Sequence, residues 1–191
     1  MSRAVMLLAV ALAVACKGPV VPNPMTGEMR YTCCNMHYEK TAMTDVNFQQ
    51  GVLIPYGTRV QILEVRRNSV KFQPQGHPPI TLVRRYGKNA GSMDEYLDRL
   101  FPREDTHAKL PVATWTKKGK QSSGDADKIR KNIETGSVDA GMTRDEVLMA
   151  LGYPPAHRTP SLDTPMWTYW QNRWATFQVL FDGDRVSRVN R

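Results

Sequence analysis

Residues 141–154 constrain the fold more tightly than any other stretch. They read Gly141-Met142-Thr143-Arg144-Asp145-Glu146-Val147-Leu148-Met149-Ala150-Leu151-Gly152-Tyr153-Pro154 and mark both ends of one short helix. The Thr143 hydroxyl can accept from the amide three residues on, while the Glu146 carboxylate returns to the Thr143 amide, a reciprocal cap. Met142 and Val147 stand where a hydrophobic staple sets the angle of entry. Val147, Leu148 and Leu151 form the stripe to be buried, Gly152 allows a left-handed exit and Pro154 prevents continuation. A helix this short is not stable alone in water, so other elements must cover its stripe.

The flanking sequence supplies the cover. Upstream, Asp125 is placed to cap a helix that puts Ala126, Ile129 and Ile133 on one face, with Gly136 at its end. Downstream, Met166 to Trp170 alternates, with Trp167 and Tyr169 on one face. Ala175, Phe177, Val179 and Phe181 share a face of a second strand, Asp182-Gly183-Asp184 makes a hairpin turn, and Arg185 to Asn190 returns. The expectation for residues 122–191 is an α-α-β-β-β domain, two helices on one face of a three-stranded antiparallel sheet.

Residues 29–90 read differently. Arg59 to Val65 is rich in β-branched residues and follows the turn Pro55-Tyr56-Gly57; Arg67-Asn68 separates it from Ser69 to Gln73. Gln75 to Pro79 interrupts the chain before another strand, Ile80 to Arg84. Short strands with tight breaks point to a small barrel or curled sheet. Within it, Leu53 to Val60 resembles the bacterial SH3-like modules, whose strands follow such a turn. Residues 91–121 read as a helix and a connector. Ser92 and Glu95 make a second capping box, Tyr96, Leu97 and Leu100 form its apolar face, and Pro102 stops it. The polar run from Arg103 to Gly124 follows, with the domain boundary expected near Gly119 to Gly124. The fold class expected for the whole chain is therefore α+β.

The first residues suggest export. Met1-Ser2-Arg3 precedes an apolar run from Ala4 to Ala15, which is too short to span a bilayer as a helix and has the layout of a secretory signal. Ala13-Val14-Ala15-Cys16 resembles the bacterial lipobox, with alanine at Ala13 where leucine is commonest. That resemblance implies cleavage between Ala15 and Cys16 and attachment of an N-acyl diacylglycerol lipid, with palmitate-like chains, to Cys16. The alternative is an ordinary signal peptide with Cys16 paired or reduced. On the lipoprotein reading residues 1–15 are removed, and residues 16–28, with Pro19, Pro22 and Pro24, form a tether. Lys17 after the cysteine, where aspartate is absent, resembles the Gram-negative rule that sends lipoproteins to the periplasmic face of the outer membrane.

Charge and side-chain chemistry narrow the function. With 26 Lys+Arg against 18 Asp+Glu the net charge is +8. Such a charge suits anionic partners, and export argues against nucleic acid among them, which leaves anionic lipid, peptidoglycan or another acidic envelope polymer, or simply a solvated surface. With Cys16 acylated, Cys33 and Cys34 remain. Neighbouring cysteines close only a strained ring, so no disulfide framework is expected; alternation along a strand would send one into the core and leave the other exposed. No Ser/His/Asp arrangement, metal-ligand spacing or phosphate loop is present, and His37, His77, His107 and His157 lie singly. The expectation is a chain that is not an enzyme, with no catalytic residue, no metal and no cofactor beyond the covalent lipid.

Taken together, Gly141, Met142, Thr143, Glu146, Val147, Leu151, Gly152, Pro154, Trp167, Tyr169 and Phe181 carry a resemblance to the SmpA/OmlA/BamE lipoprotein domain, covering residues 122–191. The resemblance implies a lipid-anchored protein at the outer membrane, where the best-known member is an accessory subunit of the machine that inserts β-barrel proteins. The β-rich region ahead of the domain departs from that member, so equivalence of role does not follow. Most of the matching residues are caps, staple or core, and they bear on fold more than on function. The candidate partner contacts are His157 and Arg158, held in the proline-rich loop Pro154 to Pro160, and Trp170 and Trp174, which flank the first hairpin of the sheet. The function expected is a non-catalytic scaffold or assembly factor for envelope proteins. The alternatives are a binding module for peptidoglycan or an anionic envelope polymer, and an inhibitor of another envelope protein.

Overall fold

The computed structural model describes residues 22–86, 91–106 and 123–191. The expected signal peptide, the Ala15–Cys16 cleavage point with its lipid, residues 16–21 of the tether, His107 and most of the connector lie outside the described residues. Residues 22–28, expected to belong to the tether, are instead folded: Met25 is buried, and Gly27 N–H donates to Ile62 O at 2.7 Å. Among the described residues the chain is α+β, and no helix is long and apolar enough to cross a membrane.

In chain order the elements are β1 (Met29–Tyr31), β2 (Met36–Tyr38), β3 (Ala42–Thr44), β4 (Val52–Ile54), β5 (Arg59–Arg66), β6 (Ser69–Pro74), β7 (Ile80–Val83) and α1 (Met93–Leu100). They continue with α2 (Ser123–Thr135), α3 (Arg144–Leu151), β8 (Met166–Trp170), β9 (Thr176–Asp182) and β10 (Arg185–Asn190). A five-stranded sheet runs β1-β5-β6-β7-β3, antiparallel throughout except where β3 lies parallel to β7. β2 and β4 pair separately, and β10-β9-β8 form a three-stranded antiparallel sheet.

Alternation decides what each strand buries. Val60 and Ile62 of β5, Val70 and Phe72 of β6, and Ile80 and Leu82 of β7 point to one side and are enclosed there. Tyr96, Leu97 and Leu100 of α1 close over the same cluster, with Phe101 set 4.8 Å from the ring of Phe72. The expected capping box of α1 is present, Ser92 with Glu95. A second cluster joins Ile133 of α2, Val147, Ala150 and Leu151 of α3, Trp167 and Tyr169 of β8, and Phe177, Val179 and Phe181 of β9. The α3 box is present too, Thr143 with Glu146, and Met142 and Val147 are both buried in this cluster.

Local chemistry corrects two boundaries. α2 begins at Ser123, so Asp125 stands inside the helix and not at the position ahead of it. Ala175 is exposed before β9 begins, because the turn holds it: its carbonyl accepts from Gln171 N–H, and its own N–H donates to the Asn172 side chain.

The two clusters are joined at the C-terminal end of α3. An α-helix leaves its last four carbonyls without intrahelical partners. Here Leu148 O accepts from Gly152 N–H at 2.8 Å, Met149 O from Asn35 N–H at 2.9 Å and Ala150 O from Asn35 Nδ2 at 3.0 Å. Leu151 O accepts from both Asn47 Nδ2 and Gln49 Nε2 at 2.9 Å. Three of the four carbonyls are thus satisfied by the segment between β1 and β4, far upstream in sequence. Asn35 is fully enclosed, and its Oδ1 also accepts from Tyr56 N–H at 2.7 Å, which places Tyr56 in the second cluster.

This joint also corrects the reading of the cysteines. Cys33 and Cys34 do not alternate along a strand; the chain bends there, between β1 and β2, and the two sulfurs are bonded to each other. The backbone explains the bend, since Cys33 N–H donates to Leu100 O at the end of α1 and Asn35 N–H to Met149 O on α3. Those amides serve helix ends and are not available to a sheet ladder.

Candidate functional site

The loop after α3 carries the expected contact residues. Pro154 and Pro155 are buried, whereas Ala156, His157 and Arg158 are exposed. Pro155 O accepts from both Arg158 N–H and Thr159 N–H at 2.9 Å, so the loop closes on itself as a tight turn. Thr159 is buried, and its hydroxyl oxygen accepts from Thr168 N–H at 3.0 Å, pinning the turn to β8.

From that fixed turn the side chains reach two aromatic surfaces. His157 stacks on Tyr86 with ring centroids 5.1 Å apart, and the Arg158 guanidinium lies 5.6 Å from the centre of Trp170. Trp170 is half-buried, edge-on to Phe48 at 6.4 Å, and its indole N–H has no hydrogen-bond partner among the described residues. It therefore acts as a shelf beneath Arg158. Trp174 is the reverse: 87% of it faces solvent at the tip of the β8–β9 turn. The Asn172 side chain holds that tip, accepting from Trp174 N–H at 2.8 Å and Ala175 N–H at 3.0 Å. The structure thus brings His157, Arg158 and Trp170 together on one corner and sets Trp174 beyond them on the adjoining turn.

Beneath the same loop a cleft of about 110 Å³ opens between the two clusters. Its walls include Cys34, Met36, Thr44, Arg99 and Tyr153. Arg99 lies over the faces of both Tyr153, at 4.6 Å, and Tyr96, at 5.7 Å, while Arg84 approaches Tyr96 from another side at 4.9 Å. Burial raises the hydroxyl pKa of Tyr96 and of Tyr153, in each case against the lowering influence of Arg99. Both phenols accordingly remain protonated near neutral pH, suited to donate a hydrogen bond and not to act as a nucleophile. The Thr44 hydroxyl on the cleft wall is enclosed with no hydrogen-bond partner among the described residues. The arrangement presents guanidinium, phenol and aliphatic surface to whatever enters.

The cleft was not expected from the sequence, where Cys34, Tyr96 and Pro154 stood only as core, helix-face and helix-end residues. Arg99 and Tyr153 are separated by more than fifty positions, and only the joint at α3 brings them together. A signal did exist for the joint itself, in the polar Asn35 set between Cys34 and the apolar Met36. Among the described residues no group of three His, Cys, Asp or Glu side chains is placed to hold a metal ion. In comparison with known proteins, the chain matches no family model, no curated protein and no solved structure.

Proposed function

We propose that this chain is a lipid-anchored envelope protein that acts as a non-catalytic scaffold or assembly factor, held through Cys16 at the periplasmic face of an outer membrane. On this reading the C-terminal part is an α-α-β-β-β domain of the SmpA/OmlA/BamE kind, and the β-rich part before it is an SH3-like module. The observation that carries the reading is Trp174, a large aromatic kept almost wholly in water on the turn that follows Trp170. Protein interfaces are enriched in tryptophan and arginine, and a rigid, exposed tryptophan gains most when a partner covers it. The sequence pattern of residues 1–16 supports the anchor, and the pattern of residues 141–181 supports the domain.

Two measurements test this. Replacing Trp174 or Arg158 with a photoreactive residue in intact cells is expected to capture a discrete envelope protein; capture of none, with the anchor intact, removes the scaffold reading. Trp174→Ala should change folding stability by no more than about 0.5 kcal/mol, as for other surface sites. The same change should weaken the captured complex by about 2 kcal/mol or more. The anchor is tested separately: incorporation of labelled fatty acid should be lost in Cys16→Ser, and retention of the label in that variant overturns the lipid assignment.

A further inference from the structure

We infer that Cys33–Cys34 is a thiol–disulfide exchange site whose substrate is a dithiol, a small molecule or a protein that carries one, and that attack falls on Cys33. The inference is independent of the scaffold reading and rests on the bonded pair, its uneven exposure and its place at the joint.

A disulfide stabilises a fold mainly by closing a loop, and the effect grows with loop length. A bond between residues adjacent in sequence closes essentially no loop, so structural stapling does not account for it. The two sulfurs differ in access. Cys33 is half-buried at the edge of the first cluster, whereas Cys34 is only 2% exposed and lines the cleft wall. An incoming thiolate therefore meets Cys33, and Cys34 is the sheltered leaving group.

The exchange balances as follows. One thiolate of the dithiol attacks Cys33 Sγ, and the Cys33–Cys34 bond breaks. The electron pair passes to Cys34 Sγ, which takes up a proton. The second thiolate then attacks the reductant's own sulfur in the mixed disulfide and releases Cys33 as a thiolate that is also protonated. Two electrons and two protons reach the pair, and the dithiol leaves as a disulfide. The backbone bonds on either side, Cys33 N–H to Leu100 O and Asn35 N–H to Met149 O, do not involve the sulfurs. Reduction therefore leaves the joint assembled while replacing a disulfide by two thiols, one of them on the cleft wall.

The experiment uses the purified full chain. Trypsin releases residues 31–40 as a single peptide that holds Cys33 and Cys34 and excludes Cys16. The folded chain is alkylated before and after treatment with excess dithiothreitol in native buffer, then digested and weighed. The expected result is no alkyl group on that peptide before treatment and two after it, with the circular dichroism of the folded chain unchanged. Two alkyl groups on the air-oxidised chain overturn the proposal, and so does a bond that persists until the chain is denatured. The order of attack is tested with single variants. In a Cys16→Ser background, the thiol left in Cys33→Ser should react with an aromatic disulfide reagent at least about tenfold more slowly than that left in Cys34→Ser. Equal rates, or the reverse order, overturn the assignment of Cys33 as the attacked sulfur.

Discussion

Gly152 shows how much a single residue carries at the end of α3. Its φ of +80° lies where side chains are strained, and a Cβ there would stand 2.8 Å from Asn47 Nδ2 and 3.4 Å from Asn35 O. With ψ at −175° the exit is extended and not the left-handed helical turn the sequence suggested, a conformation essentially reserved for glycine. Backbone strain of about 1–3 kcal/mol then adds to displacement of an amide that caps the helix. Gly152→Ala is expected to cost about 2–4 kcal/mol in urea unfolding. His37 makes a second residue-scale prediction. Burial lowers its pKa below the ordinary 6.5, and its Nδ1 is enclosed without a hydrogen-bond partner among the described residues. The folded chain thus resists protonation that the unfolded chain accepts, so the unfolded state binds more protons as pH falls through 6.5. Stability should decline with acidification from there until the lower folded pKa is passed, and His37→Gln should flatten that part of the stability–pH curve. Gly152 was legible in the sequence as a helix exit. The amides that crowd it were not, because Asn35 and Asn47 reach it only through tertiary packing.

Elements whose two ends are written in local chemistry were the most legible. Both capping boxes, Ser92 with Glu95 and Thr143 with Glu146, could be read because each pair lies within one turn. Each hydroxyl satisfies an amide that would otherwise lack a partner, so Ser92→Ala and Thr143→Ala should each cost about 1 kcal/mol. The helices belong to different clusters, and the double variant should match the sum within about 0.5 kcal/mol in the same urea assay. The hairpins β5–β6 and β9–β10 were equally plain, since turn residues and alternation agree. Less legible was the parallel pairing of β3 with β7, which has no short-range signature: three-residue strands offer too little alternation to set a partner. The bend at Cys33–Cys34 was missed for a related reason. Its hydrogen-bond partners are helix ends distant in sequence.

At the scale of the molecule, the buried amides of Asn35 and Asn47 bind the two clusters into one structure. Breaking the joint leaves several enclosed carbonyls without donors, at about 1–3 kcal/mol each. The two clusters should therefore unfold together, as one coincident urea transition followed by tryptophan fluorescence and by far-ultraviolet circular dichroism. Two resolved transitions would show that the joint is weak. The candidate contact corner depends on the same joint, since Gln49 N–H donates to Trp170 O and Gln171 Nε2 to Gln49 O. From the sequence the contact residues could be named, but not the surface beneath them, because Tyr86, Phe48 and Trp170 converge only after both halves pack. The capping of α3 also has a consequence for the order of events during biosynthesis. Chains are made from the N-terminus, so Asn35, Asn47 and Gln49 are already present when the α3 carbonyls emerge. The late helix is completed on a template laid down earlier, and a fragment of residues 122–191 made alone would lack the donors that finish it.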